Sequence, residues 1–180
     1  MKLSEDLNEL KDFVKNNPEV LEIILTDGKV LSNVSELMTL AKLNPRAKLK
    51  NHDFKKKGCD IKLPNGFKLE QKDTFYGQGT NKKGGRIQHL LGKKNNCDGF
   101  YFKEWITGKR FFMFHDEFFD EIKLDISGGQ DEMRWIADYD LTPRQGLSTK
   151  SKTYHNTLVL LKYEVKTRGQ MCKRIRDEWS

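Results

Sequence analysis

The stretch "DIKLPNGFKLEQK", residues 60–72, constrains the fold more than any other part of the chain. Ile61 and Leu63 alternate with polar neighbours before Pro64-Asn65-Gly66, and Phe67 and Leu69 do so after it. Period two on both sides of a Pro/Asn/Gly turn predicts a β-hairpin with one face pressed into a core. A two-residue turn on Asn65-Gly66 places Asp60 opposite about residue 71, with Glu70 and Lys72 on either side of it. Residues i and i+2 of a strand point to the same face, so Glu70 and Lys72 share one face, and Leu69 and Gln71 the other.

The rest of the chain supplies layers for such a hairpin. Residues 4–16 read as a helix capped by Ser4, with Leu7, Leu10, Phe13 and Val14 at helical spacing. A second segment starts at Pro18 ("EVLEIIL") and ends at the turn "TDGK". A helix over about 34–43 is predicted from Val34, Leu37, Met38 and Leu40–Ala41, with Ser32 or Asn33 as cap and Glu36 three residues on. "NPRAKLKNHDFKKKG" is a basic connector. "GRIQHLLGKK" predicts a short helix with Gly92 as C-cap. "CDGFYFKEWITGKRFFMF" predicts a second hairpin, Gly99–Trp105 and Lys109–Phe114, turning at Thr107-Gly108. "HDEFFDEIK" predicts a helix, residues 125–156 polar loops, "TLVLLKYEV" a last strand, and "RGQMCKRIRDEW" a basic helix. Helices followed by strands alternating with helices imply an α/β (α+β) domain, a central mixed sheet flanked by helices with an N-terminal helical segment. The chain has 180 residues, the size of one domain. It divides into 1–45 helical, 58–123 core, 125–156 loops and 157–180 strand and basic helix.

Composition narrows the function. The 33 basic and 26 acidic residues leave a net charge of +7, which favours an anionic partner such as nucleic acid. Cys59, Cys97 and Cys172 are widely spaced with no CxxC or Cys/His zinc pattern, and read as reduced thiols of an intracellular, cytoplasmic protein. "MKLSEDLNELKDF" has no apolar signal segment, and runs such as "TLVLL" are too short to span a bilayer. No Ser/His/Asp triad, phosphate loop or dinucleotide fingerprint is present, and no organic cofactor is expected; "GQGTNKKGG" lacks the GK[ST] ending.

The hairpin's charges carry the chemistry. Two converging carboxylates repel unless a cation lies between them. Oxygen donors with open positions suit Mg²⁺, with Mn²⁺ as substitute. Such an ion binds a phosphodiester oxygen and acidifies a bound water. A lysine beside it orients that water or neutralises charge on phosphorus. A bare D…ExK also arises by chance on a solvated strand of a chain that is 33% charged.

The D60…E70-Q71-K72 pattern, together with the loop, "GRIQHLL" and the strand pair after it, resembles the PD-(D/E)xK nuclease superfamily. It is most similar to the compact type II restriction endonucleases. The resemblance covers roughly residues 33–123. Cys59 stands where that family usually has proline. The resemblance implies a restriction-endonuclease-like core, Asp60 and Glu70 as Mg²⁺ ligands, and Lys72 as catalytic lysine. Glu36 resembles the extra acidic residue that many members carry before the motif; it also fits a capping box with Asn33.

A Mg²⁺-dependent endonuclease cutting double-stranded DNA is therefore expected, acting as a homodimer through the N-terminal helices. Candidate DNA contacts follow the motif directly: Lys82, Lys83 and Arg86 for phosphates, and Gln78, Asn81, Gln88 and His89 for base edges. A second set, in the loop 142–156, includes Arg144, Gln145, Lys150 and Lys152. The alternatives are a junction-resolving, repair or nicking nuclease of the same fold, and a non-catalytic nucleic-acid-binding domain. His52 and His115 read as surface or capping residues.

Overall fold

The computed structural model describes residues 2–20, 30–54, 58–74, 84–105, 107–127, 130–136, 139–143 and 146–179. Among them lie α1 (Lys2–Asn16), α2 (Val30–Leu43), β1 (Ile61–Lys62), β2 (Lys68–Thr74), β3 (Gly84–Gln88), β4 (Gly99–Glu104), β5 (Arg110–Phe114), α3 (His115–Glu121), β6 (Asp125–Ser127), β7 (Gln130–Ile136), α4 (Lys152–Lys162) and α5 (Arg168–Glu178). The chain is mixed α/β. One mixed four-stranded sheet runs in the order β1-β2-β4-β5, and a second, three-stranded antiparallel sheet runs β3-β7-β6.

The predicted first hairpin forms, with a different turn. Leu63 N–H donates to Phe67 O at 2.8 Å and Gly66 N–H to Leu63 O at 3.0 Å, so the loop holds three residues, 64–66. Gly66 closes it at φ +91°, a left-handed conformation that favours glycine. The register then pairs Ile61 with Leu69 and Lys62 with Lys68. Extending this ladder by one residue puts Asp60 opposite Glu70, not opposite Gln71. Directly opposed residues share a face, so the three-residue loop is what turns Asp60 to the side of Glu70.

β2 pairs in parallel with β4 from Leu69↔Gly99 to Thr74↔Glu104, and β4 pairs antiparallel with β5 in the predicted second hairpin. All six residues of β4 are buried because the sheet is covered on both faces. One cover is helical: Leu37 and Val34 of α2 and Met171 and Ile175 of α5 meet Leu69, Tyr101 and Phe112, with Leu10 and Phe13 of α1 packed at the margin. Leu10 and Phe13, on the helix expected to form the dimer, thus lie against their own chain's core. The other cover joins Phe100, Phe102, Phe111 and Met113 to Ile87 of β3, Trp135 of β7, Phe118 of α3 and Leu160 of α4.

Four sequence expectations change. "GRIQHLL" is not a helix: Gly84–Gln88 is strand β3, paired with β7, and Leu91–Lys93 is a single 3₁₀ turn with Gly92 inside it. Gly85 permits this pairing, because a Cβ there would enter the Trp135 indole. Residues 125–156 are not all loop; they hold β6, β7 and the start of α4. "TLVLL" is helical, since Ser151 caps it by accepting from Tyr154 N–H at 3.1 Å. Only its tail keeps the strand reading: Val165 N–H donates to Arg110 O at 2.8 Å, and Glu164 bridges Phe111. Ser32 and Asn33 lie inside α2, which starts at Val30, and do not cap it. α1, α3 and α5 form where predicted, although α1 starts at Lys2 with Ser4 inside it and not as its cap, and α3 is capped from Phe114, whose N–H donates to Glu117 Oε2 at 2.8 Å. Most of "EVLEIIL" and all of "TDGK" lie outside the described residues.

Candidate functional site

β2 builds the site by sending its two faces to different surroundings. Leu69, Gln71 and Asp73 face the helices α2 and α5; Glu70 and Lys72 face the other cover. Glu70 has no exposed surface at all. The possibility of a solvated charged strand is therefore removed: this carboxylate sits in the interior. It persists there because two ammonium groups reach it. Lys72 Nζ lies 2.5 Å from Oε1 and Lys93 Nζ lies 2.8 Å from Oε2. The Lys72 contact is an ion pair and not a directed hydrogen bond, which leaves Oε1 without a hydrogen-bond partner. Cys97 Sγ, a weak donor, stands 3.9 Å from Oε2.

Asp60 reaches the same place from the edge. β1 begins at Ile61, so the main chain offers Gln71 N–H no partner on that side. The Asp60 carboxylate fills the gap, with Oδ2 accepting from Gln71 N–H at 2.8 Å. Asp60 is thereby fixed to the backbone of the residue next to Glu70.

Lys93 is the residue that sequence reasoning missed. It ends the 3₁₀ turn Leu91–Lys93, whose start is pinned to β7: Leu90 and Leu91 N–H both donate to Asp131 Oδ2, at 2.5 and 2.9 Å. From there its ammonium donates to Gly58 O as well as meeting Glu70. Burial alone would lower its pKa, but Glu70, Asp60 and Cys97 hold it above the ordinary lysine value. No spacing in "GKK" marks Lys93 over Lys94, which turns outward over the Phe119 ring at 5.4 Å. Beside it, burial and the Glu70 charge push the Cys97 thiol up to about 12.

Glu36 does not cap its helix with Asn33. It pairs with His52, whose ring packs edge-on against Phe54 at 4.8 Å. His52 is thus a half-buried partner of Glu36 and not a free surface residue. Burial raises the Glu36 pKa, the His52 hydrogen bond opposes that, and the charges of Asp60 and Asp73 add to the rise. Glu36 stands near the motif but is engaged elsewhere.

A polar network on the helical face holds β2 in place. Asp73 accepts from Ser35 Oγ at 2.8 Å, Gln71 Nε2 at 2.9 Å and Trp105 Nε1 at 2.9 Å. Arg168 Nη2 donates to Ser35 Oγ at 3.1 Å, and Arg168 Nη1 pairs with Glu9 at 3.0 Å. Burial raises the Asp73 pKa against these donors.

The candidate DNA contacts are not gathered in one loop. Gln78, Asn81, Lys82, Lys83, Arg144 and Gln145 lie outside the described residues. Arg86, half exposed, approaches Glu132 at 3.7 Å across β3 and β7. Gln88 Nε2 donates to the same carboxylate at 3.1 Å. His89 leaves β3 at φ +63°. Lys150 is exposed, whereas Lys152 donates to Leu124 O at 2.9 Å and pairs with Asp125 at 3.0 Å. His115 bridges Asp116 and Lys94 O, at 2.7 and 2.6 Å.

Among the described residues no three His, Cys, Asp or Glu side chains cluster as a ready metal cage. Mg²⁺ does not require one: it takes one or two carboxylates and keeps waters and substrate phosphate for its other positions. Asp60, Glu70 and the Gly58 carbonyl supply oxygen donors of that kind, with the Lys72 and Lys93 ammonium groups now on the two Glu70 oxygens and Lys93 also on Gly58 O. The donor set fits the ion. No helix among the described residues is long and apolar enough to cross a membrane. Comparison with protein-family models, curated proteins and solved structures finds no match to this chain.

Proposed function

We propose that this chain is a divalent-metal-dependent endonuclease with a restriction-endonuclease-like core, hydrolysing phosphodiester bonds of double-stranded DNA. The observation that carries the reading is a fully buried Glu70 flanked by two lysines, with Asp60 bonded to the adjacent backbone. Burying a carboxylate among cations is costly for stability, and charge clusters of this kind concentrate at functional sites. Asp60 and Glu70 would hold Mg²⁺, or Mn²⁺ in its place, with the third carboxylate, Glu36, kept apart by His52. The ion supplies Lewis acidity and a water of lowered pKa. Lys72, with 30% of its side chain exposed, neutralises charge developing on the phosphorus oxygens or orients the attacking water. The net charge of +7 draws the DNA backbone toward the protein.

Sequence-specific cleavage as a homodimer is the form we favour, since palindromic sites call for two-fold related active sites. Supercoiled plasmid incubated with the protein and Mg²⁺ tests the activity. Cleavage that stops with EDTA and with Lys72→Ala supports it; intact plasmid across varied sequences refutes it. Cutting at fixed positions, read by run-off sequencing, separates it from a junction-resolving, repair or nicking nuclease. One observation favours a second reading: both lysines already neutralise Glu70, as in a structural ion cluster of a non-catalytic nucleic-acid-binding domain. Tight DNA binding without EDTA-sensitive cleavage would establish that reading instead.

A further inference from the structure

Lys93 occupies the ground that a metal ion would need. Its ammonium is bound by Gly58 O and Glu70 Oε2, one carbonyl and one carboxylate oxygen, which are the donor types of hard divalent cations. The chain aims it there deliberately, through the Asp131 anchor on Leu90 and Leu91. Lys72 differs: it lies on β2 itself and meets the other oxygen, Oε1. Two cations cannot share the same pair of oxygens without strong repulsion.

We propose that Lys93 is a tethered counter-cation that holds the Glu70 and Gly58 oxygens together until a divalent cation displaces it. The inference rests on the metal reading above and adds an exchange step to it. Lysine suits the role, being a compact charge on a flexible four-carbon stem. With 22% of its side chain exposed it has a route outward, where the released ammonium can meet a substrate phosphate. The site then avoids an uncompensated buried carboxylate at every stage. Metal binding is made weaker and reversible, because the ion competes with an internal cation.

Calorimetric titration of the full chain with Mn²⁺, for wild type, Lys93→Met and Glu70→Gln, tests this. Methionine keeps the stem and removes the charge. Lys93→Met is expected to bind Mn²⁺ on the order of tenfold tighter or more, because apparent affinity scales with the fraction of sites left free by the internal cation. Equal or weaker binding overturns the proposal. Lysine acetylation read by mass spectrometry gives the second arm on wild type, where folding of a variant is not at issue. Lys93 labelling should rise several-fold on adding Mn²⁺, and not in Glu70→Gln; unchanged or reduced labelling overturns it. If wild type binds Mn²⁺ through Glu70 but Lys93→Met binds no tighter, the Lys93 role alone falls. If neither binds in a Glu70-dependent way, the metal reading falls with it.

Discussion

Two lysines on one buried carboxylate make a sharp prediction about coupling. At 2.5 and 2.8 Å, each pair has a gross attraction of roughly 6 kcal/mol at an effective dielectric of about 20. Most of that is returned as desolvation, so neither pair alone is worth its Coulomb energy. Lys72→Met leaves Lys93 on Glu70, and Lys93→Met leaves Lys72 there. Each single variant should therefore lose only about 1 kcal/mol, since one ammonium still neutralises the carboxylate. The double variant leaves Glu70 charged, fully buried and unpaired, which should cost about 3–5 kcal/mol. The excess of about 1–3 kcal/mol over the sum of the singles is the coupling energy. Equilibrium urea unfolding of the four proteins measures it, with equal m-values as the check on a shared reference state. Adding Glu70→Gln to the double variant should recover most of the loss, because the charge itself is gone. Additive losses, or no recovery with glutamine, would refute the placement of both lysines on Glu70.

Further predictions concern the surroundings. With its pKa pushed to about 12 and its side chain buried, Cys97 has roughly one thiolate in ten thousand at pH 8, so the native protein should leave it unlabelled by iodoacetamide until denatured; rapid native labelling at Cys97 would contradict this. Gly85→Ala should destabilise by about 2–3 kcal/mol or more, because its methyl would overlap Trp135, and thermal unfolding reads the loss. Glu36 is raised above its ordinary value of 4.5, so the folded state holds that proton more tightly than the unfolded chain does. Its stabilising contribution is complete below pH 4.5 and disappears as pH rises through the raised folded pKa. Against Glu36→Gln, which keeps a partner for His52, wild type should therefore be relatively most stable in acid; a difference independent of pH would refute the burial of Glu36.

What the residues disclosed in advance follows the range of the forces involved. Both hairpins of the central sheet were legible because period two and turn chemistry are local. The turn itself was misread by one residue: Pro64-Asn65-Gly66 forms a three-residue loop, not a two-residue turn on Asn65-Gly66. The misreading mattered, since opposing Asp60 to Gln71 would have turned it toward α2 and away from Glu70. β3 and β7 were missed because each is a strand only by virtue of the other. "GRIQHLL" has helical spacing, and "QDEMRWI" carries three charged residues before its buried Trp135. The α4 segment reads as a strand in the sequence, because a short apolar run fits a buried strand or helix equally, and the Ser151 cap makes it a helix. In the site, Asp60, Glu70 and Lys72 were accessible from spacing along one hairpin. Lys93 was not, because it arrives from a turn held by Asp131, 38 residues further along the chain. His52 was invisible for the same reason: nothing local to it announces Glu36.

A metal ion on Asp60 and Glu70 is tested most directly by a crystal of the protein soaked in Mn²⁺ and measured at a wavelength where manganese scatters anomalously. A peak is expected between the carboxylates of Asp60 and Glu70, with Lys93 withdrawn from Gly58 O. A peak elsewhere, or none with Lys72 and Lys93 still on Glu70, would contradict that placement.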